Sequence, residues 1–366
     1  MKIYAGHVSQ GNAQENAQYR RFLMPEALCC LTVFYIDGLR AQRPPGSKEV
    51  LTSHNLGKWM EPYYGMVKNL VEKGPLSKPL IVYNRTQSKA IDLAKTLSQQ
   101  IMPVSTVKEA VEKATIIFIC LGDDPAVEST IDTALKSTDV KGKLFVDCST
   151  VSPDTTRRLA KLLESSGASF AACPVFGAPS AAEAGTLVCV LAGRRESVER
   201  VKPFCTGVMG HAIMDLSTKS EDPGKASMLK VLGNSVIFRM VSAVSESLVV
   251  AEKSELGVES IHSFLELFFP GAAVAYSNRM LSGMYHTLGE PLFAVDLARK
   301  DTRHAMDMAK AVGIRMKGVE VLDEALQAAK SHSGAKGDLS AIYGVARQEA
   351  GLKFENNTLG QASYKE

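Results

Sequence analysis

From Tyr64 onward the chain alternates short apolar runs with segments of helical period, and this alternation limits the fold more than any other feature. Helical patterns at residues 64–73, 88–97, 107–113 and 126–135 are interleaved with apolar runs at 80–83, 101–104, 116–121 and 144–147. Runs that are apolar at nearly every position must be covered on both faces. That requirement predicts a parallel, doubly wound sheet with a helix in each crossover, an α/β architecture. Runs at 169–174 and 187–192 are expected to extend the same sheet. Ligands of such sheets bind beyond the carboxyl ends of the strands, where the strand order reverses. The residues that follow each run are therefore the ones to search for function.

A second feature is a long apolar helix opening at Pro223 and running to about Leu256, in which only Lys230 and Arg239 are charged between Ala226 and Ser245. Ser227, Lys230 and Asn234 fall at i, i+3 and i+7 and form one polar line on it. That line reads either as one wall of a site or as a lysine snorkelling to solvent past its own methylenes. Beyond this helix the chain is almost wholly helical, which predicts a separate all-α C-terminal domain. The helix has more apolar surface than one small domain can readily cover, so a homodimer or homotetramer is expected.

Composition narrows the function classes. With 366 residues, 45% hydrophobic, 22% charged and a formal net charge of +3, the chain is an ordinary globular protein with no electrostatic reason to bind nucleic acid. The most hydrophobic run, Ala27 to Ile36, is far shorter than the roughly 20 residues of a spanning helix, so no membrane association is expected. The seven cysteines include no C-x-x-C and read as reduced thiols in a cytosol-like compartment. The seven histidines show no ligand spacing, and no metal is expected. Arg20 and Arg21 hint at a mitochondrial transit peptide, but Glu15 and Glu26 interrupt the pattern, and the expected location is cytoplasmic.

The strand ends carry the chemistry. After residues 80–83 comes Asn84-Arg85-Thr86-Gln87-Ser88-Lys89, where a dinucleotide sheet would use an acid for the ribose 2′-hydroxyl and a basic residue for a 2′-phosphate. Arg85 offers a planar fork for phosphate, with Thr86, Ser88 and Lys89 as further donors. Read bare, the same residues are a helix cap with an exposed arginine. Ser149 or Thr150 similarly reads as a cap for the helix starting near Asp154.

Taken together, these segments resemble the β-hydroxyacid dehydrogenase family, which includes 3-hydroxyisobutyrate dehydrogenase and the glyoxylate and succinic semialdehyde reductases. The family's G-x-G-x-x-x-K-x-x-N-N is kept at Gly224, Lys230 and Asn234, with Ala226 for the second glycine and Gly233 for the first asparagine. Asn84-Arg85-Thr86 matches the NADP-using members, Leu121-Gly122 the turn along the nicotinamide ribose, and Ser149-Thr150 the D-x-S-T segment. Residues 173–187 resemble D-A-P-V-S-G-G-x-x-G-A-x-x-G-T-L, with Phe176 for the serine, Gly177 kept and Ala178 for the second glycine. Phe293 precedes the closing Lys300-Asp301 motif.

What the resemblance implies is a Rossmann-like NADP-binding domain at 56–215 and a helical substrate and dimerisation domain at 216–366, after an unassigned segment at 1–55. Lys230 would be the catalytic acid or base. Ser149, Phe176, Gly177, Ala178, Asn234, Phe293 and Asp301 would meet the substrate, a small carbonyl compound or hydroxy acid. Asn84, Arg85, Thr86, Lys89, Leu121, Gly122, Thr150 and Lys300 would hold NADP, with NAD less favoured. Asp301 is expected beside Lys230, keeping it charged and aimed. Phe176 narrows the substrate pocket and removes a hydroxyl.

The start of the sheet departs from this pattern. A G-x-G-x-x-G loop belongs before Tyr64, yet its glycine positions hold Lys58, Met60 and Tyr63, and no apolar strand immediately precedes them. The expectation is a sheet without its first strand and a weakened pyrophosphate site. The alternative function is then a non-catalytic or impaired family member that acts as a binding protein.

Overall fold

The computed structural model describes residues 28–31, 62–77, 79–97 and 100–356. Its first domain runs β1 (Leu28–Leu31), α1 (Pro62–Lys73), β2 (Leu80–Tyr83), α2 (Gln87–Thr96), β3 (Ile101–Val104), α3 (Val107–Glu112), β4 (Ile116–Ile119), α4 (Asp124–Ser137), β5 (Leu144–Asp147), α5 (Pro153–Ser165) and β6 (Ser169–Ala172). It continues through β7 (Val175–Phe176), α6 (Pro179–Ala184), β8 (Leu187–Gly193), α7 (Arg195–Val201) and β9 (Gly210–Asp215). The strands form one sheet in the order β3-β2-β1-β4-β5-β6-β8-β7, with β9 on β8. Pairing is parallel from β3 through β6, and β8 is antiparallel to both β6 and β7. The order reverses between β1 and β4, so the ligand crevice of such a sheet lies above their carboxyl ends.

Strand β1 corrects the expectation of a missing first strand. Leu28–Leu31 sits in the middle of the sheet, in register with Ile81–Tyr83 on one side and Ile116–Ile119 on the other. A central parallel strand is covered on both faces and needs a run that is apolar throughout, which Leu-Cys-Cys-Leu provides. Its separation in sequence from α1 is what hides it. Residues 32–61, with the loop positions Lys58 and Met60, lie outside the described residues, whereas Tyr63 is buried within α1.

Two smaller departures have local causes. The run at 169–174 stops at Ala172 and resumes as β7 after Pro174, which has no N–H to give to the ladder. Strand β9 pairs with β8 and is half-exposed, and its short apolar stretch, Ala212-Ile213-Met214, flanked by His211 and Asp215, is too brief to read as a strand.

Two apolar clusters flank the sheet, one on each face, and a third fills the helical domain. In the first cluster the Sγ atoms of Cys173, Cys189 and Cys205 converge within 4.8 Å of one another, all buried. They come from separate segments of the chain, so spacing could not reveal the group.

The helical domain comprises α8 (Gly224–Lys253), α9 (Val258–Phe268), α10 (Ala272–Leu281), α11 (Met284–Thr287), α12 (Val295–Ala311), α13 (Lys317–Ser333) and α14 (Ile342–Glu349). Helix α8 is long and apolar enough by composition alone to cross a bilayer, but its first turns pack on α5 and β8 and its later turns on α9, α10, α12 and α14. It is the spine that joins the two domains. Ser227 Oγ and Thr156 Oγ1 lie 2.7 Å apart at the buried α5–α8 contact. The first member of the polar line thus fastens the domains together instead of lining the site.

Candidate functional site

Lys230 is 9% exposed on α8, and its Nζ donates to Asn234 Oδ1 at 3.1 Å, one turn along the same helix. Asn234 Nδ2 in turn donates to Asp301 Oδ2 at 2.7 Å, reaching across to α12. The amide is polarised the one way that serves both neighbours, since a flipped amide would point donors at the ammonium and a carbonyl at the carboxylate. Asp301 is 2% exposed, and Lys300 Nζ lies 3.3 Å from its second oxygen, close enough for charge attraction without hydrogen-bond geometry. Asp301 thus lies near Lys230, linked to it by the Asn234 amide.

Burial pushes the Lys230 ammonium down to a pKa of about 8, against the attraction of Asp301 and with help from the like charge of Lys300. Such a lysine exchanges its proton near neutral pH, where a free lysine would hold it. The snorkelling reading fails on burial.

The ends of β4 and β5 are tied to this network. Lys300 Nζ donates to the carbonyl oxygens of Gly122, at 2.9 Å, and of Thr150. Ser149 Oγ accepts from the Leu121 amide at 2.9 Å, and the Ser149 amide donates to Asp147 Oδ1 at 2.9 Å. The Ser149 hydroxyl also supports the Asp147 carboxyl, whose burial pushes its pKa up to about 6 in spite of those hydrogen bonds. Ser149 is thus engaged by the strand ends rather than turned to the cleft.

Opposite Lys230 stands Phe176, with the ammonium 4.4 Å from the ring centroid. A Cβ added to Gly233 would fall 2.5 Å from Phe176 Cζ, so the ring occupies the volume that any side chain at 233 would need. The two departures from the family pattern are therefore one exchange of volume. Gly177 has φ +142°, and a Cβ there would meet Leu187 Cδ2 at 2.5 Å, so glycine is required. Ala178 has an ordinary φ of −71° at the start of α6, where alanine is tolerated. Phe293 is half-buried and packs edge-on against Phe238 at 5.2 Å, with its amide held by Asp338 Oδ2 at 2.8 Å.

At the end of β2, Arg85, Thr86 and Lys89 are exposed around the start of α2, and Asn84 Oδ1 accepts from the Thr86 amide at 2.9 Å. Thr86 makes no side-chain cap bond, so α2 begins without a side-chain cap, beside basic side chains. No acid occupies this strand end. The sheet order and the uncapped β2 end fit a nicotinamide dinucleotide.

Some of this geometry carried no signal in the sequence. His304 Nε2 lies 2.9 Å from Asp124 Oδ2, joining α12 to the start of α4. Burial acts against ionisation of Asp124, but the hydrogen bonds from His304 and the Ser152 amide hold its carboxyl well below the usual range. Beside this pair a cleft of about 560 Å³ separates the domains, lined in part by Leu297, Arg299, Lys300 and Arg303. Asp338 fixes Phe293 from the far end of the chain. All of these partners are distant in sequence, and none follows a helical or strand spacing.

The fold is that of a nicotinamide-dinucleotide oxidoreductase with a helical C-terminal domain. Residues 64–216 match the NAD-binding domain of 6-phosphogluconate dehydrogenase, and residues 224–346 match the NAD-binding domain of NADP-dependent 3-hydroxyisobutyrate dehydrogenase. The NADH-dependent oxidoreductase ucdB of Aspergillus ustus is 36% identical over 294 residues, spanning 80% of this chain and 98% of that protein. The 2-hydroxy-3-oxopropionate reductase of Escherichia coli is 28% identical over 67% of this chain and 82% of its own length. In fold, the 3-hydroxyisobutyrate dehydrogenase structure from Salmonella typhimurium superposes with a TM-score of 0.67 at 17% identity, over 78% of this chain and 96% of that one. The chain belongs to the β-hydroxyacid dehydrogenase family, and is an NAD(P)-dependent oxidoreductase of the class acting on CH–OH groups.

Proposed function

We propose that this chain interconverts a small carbonyl compound and its alcohol with Lys230 as the proton-exchanging group, and that it prefers NADPH. The single observation that carries the chemistry is the buried ammonium of Lys230, linked through Asn234 to Asp301. A bound nicotinamide dinucleotide supplies or accepts the hydride. In the reductive direction Lys230 Nζ gives its proton to the oxygen of the reacting carbonyl, and in the oxidative direction it takes that proton from the alcohol. Asn234 holds the ammonium in place and transmits the Asp301 charge to it. Lys300 braces the Gly122 and Thr150 carbonyls, where the ribose and nicotinamide would lie, and Gly177 keeps the adjoining wall open to backbone approach.

The NADPH preference rests on Arg85 and on the lack of an acid at the β2 end, although the relative from Aspergillus ustus is named for NADH. A hydroxy acid is the family's usual partner, yet Phe176 and Ala178 stand where its carboxylate would be received. A homodimer is favoured by the solvent side of α8, where Met228, Leu232, Val236 and Val250 are exposed. Light scattering at micromolar concentration should give at least twice the 39.5 kDa chain mass.

The experiment is cofactor oxidation by the wild-type chain and by Lys230→Ala across a panel of aldehydes and ketones. The substitution should lower kcat by about 10²–10⁴ with cofactor affinity little changed. Near-normal turnover by Lys230→Ala would remove Lys230 from the mechanism. Tighter binding of NADH than NADPH would reverse the cofactor reading.

A further inference from the structure

We infer that the group next to the reacting carbonyl in this chain's substrate is uncharged and apolar, of the aryl type, and that Phe176 and Gly233 together select it against a carboxylate. The inference deepens the reading of Lys230 given above and rests on it. Three observations carry it.

First, the Phe176 ring is seated by the absence of a side chain at 233, since an added Cβ there would lie 2.5 Å from Cζ and 2.7 Å from Cε1. The ring is thus wedged between β7 and α8 and cannot turn aside without leaving a void against Gly233. Second, the Lys230 ammonium stands over that ring at 4.4 Å from its centroid. The face of a phenyl ring is negative, so it attracts the cation, stacks or packs edge-on with another ring, and repels a carboxylate.

Third, among the described residues, the polar side chains nearest Lys230 are already engaged with one another or with the strand ends. Lys300 Nζ is held by the Gly122 and Thr150 carbonyls. The Ser149 hydroxyl serves the Leu121 amide and Asp147. Asn234 lies between Lys230 and Asp301. Positions 176 and 178 offer a phenyl ring and a methyl group. Lys230 itself is required at the reacting oxygen. A carboxylate placed against the Phe176 ring would lose its water and gain no donor from the side chains of 176 and 178, whereas an aryl group would gain a ring to pack on.

The test uses the full chain with NADPH and with NADH, comparing kcat/KM for benzaldehyde and acetophenone with that for glyoxylate and succinic semialdehyde. The aryl probes should lead by about 10², the discrimination a shaped apolar pocket provides. Phe176→Ser combined with Gly233→Asn exchanges ring volume for polar side chains without crowding, and should move the preference toward the acids by a similar factor. Phe176→Ala adds no volume and should weaken the aryl probes alone by about tenfold.

Binding of 1-phenylethanol, followed by calorimetry, separates this inference from the one beneath it. Should the wild type turn over the acids as well as the aryl probes, the selectivity is overturned while the role of Lys230 stands. Should nothing be turned over, yet 1-phenylethanol bind the wild type and bind Phe176→Ala about tenfold more weakly, the aryl subsite stands and the reductase reading falls. If the aryl probes are not turned over and 1-phenylethanol does not bind, the inference is overturned.

Discussion

The end of β2 and the buried surroundings of Lys230 both carry cations, but in different ways. Arg85, after the end of β2, and Lys89, in the first turn of α2, are exposed, with their charges in water and their arrangement set by a few consecutive residues. Lys230 and Asp301 are buried, come from two helices of the C-terminal domain, and meet through Asn234. Water screens the first pair of cations, so their removal should cost binding alone. The second group stands in a medium where an unmatched charge is expensive, so its removal should change stability, proton affinity and chemistry together.

The largest expected break in that contrast is Asp301→Ala. It leaves the Asn234 amide without its acceptor and Lys230 and Lys300 without their carboxylate, a change of the kind that costs about 3–5 kcal/mol. Chemical denaturation should show that loss, and the same measurement on Arg85→Ala should show almost none. A small effect at Asp301 would mean that solvent reaches the network and that the buried contrast is overstated.

Lys230→Met sharpens the comparison by removing the buried charge itself. The folded pKa is about 8 against an ordinary 10.5, so between these values the unfolded chain binds the extra proton and stability rises with pH. Below pH 8 the burial penalty is constant, roughly 3 kcal/mol for such a shift, less about 1 kcal/mol for the hydrogen bond to Asn234. The variant should therefore be the more stable protein at pH 7 by about 2 kcal/mol, with the difference closing toward pH 10, while turnover is lost. The same pKa predicts that wild-type reduction slows as pH rises through about 8, when Lys230 loses the proton it must donate.

Arg85→Ala tests the exposed side of the comparison. Affinity for NADPH should fall about tenfold, the scale of one charge-assisted phosphate contact, and affinity for NADH should not move. Raising the salt concentration should reduce the NADPH preference of the wild type and leave the Lys230 profile unchanged, because screening acts on exposed charges. Equal losses for both cofactors would make Arg85 a general binding residue without a role in selecting the 2′-phosphate.

The smallest effect is expected at the joint between the domains. Ser227→Ala deletes one buried hydroxyl pair with Thr156, worth about 1 kcal/mol, and should lower stability without altering the aryl preference or the pH profile. A change in turnover larger than the change in stability would return Ser227 to the site wall that its spacing with Lys230 suggested.

Much of the fold was legible because local rules govern it. Continuous apolar runs separated by helical segments define a parallel sheet, and β2 through β5 fall where those runs lie. Helix α8 and its polar line are likewise visible from period alone. The strand β1 lies within the most hydrophobic run, Ala27 to Ile36, but is not legible as a strand because it stands far in sequence from the helix it should precede, and adjacency in a sheet is not adjacency in sequence. Strand β9 was hidden because its apolar stretch is too brief.

The site divides the same way. Residue identities alone marked Lys230, Asn234, Lys300 and Asp301, and the basic strand end at Arg85, because each is a chemical type out of keeping with its surroundings or a match to a known pattern. Tertiary structure decided how they act: Asp301 reaches Lys230 through Asn234, Ser149 is drawn into the strand ends, and Ser227 into the domain joint. It also turned two separate departures, Phe176 and Gly233, into one fitted pair. The reason is physical. Sequence fixes which groups are available and their local period, whereas burial, desolvation and exclusion of volume arise only when segments far apart in the chain are packed against one another.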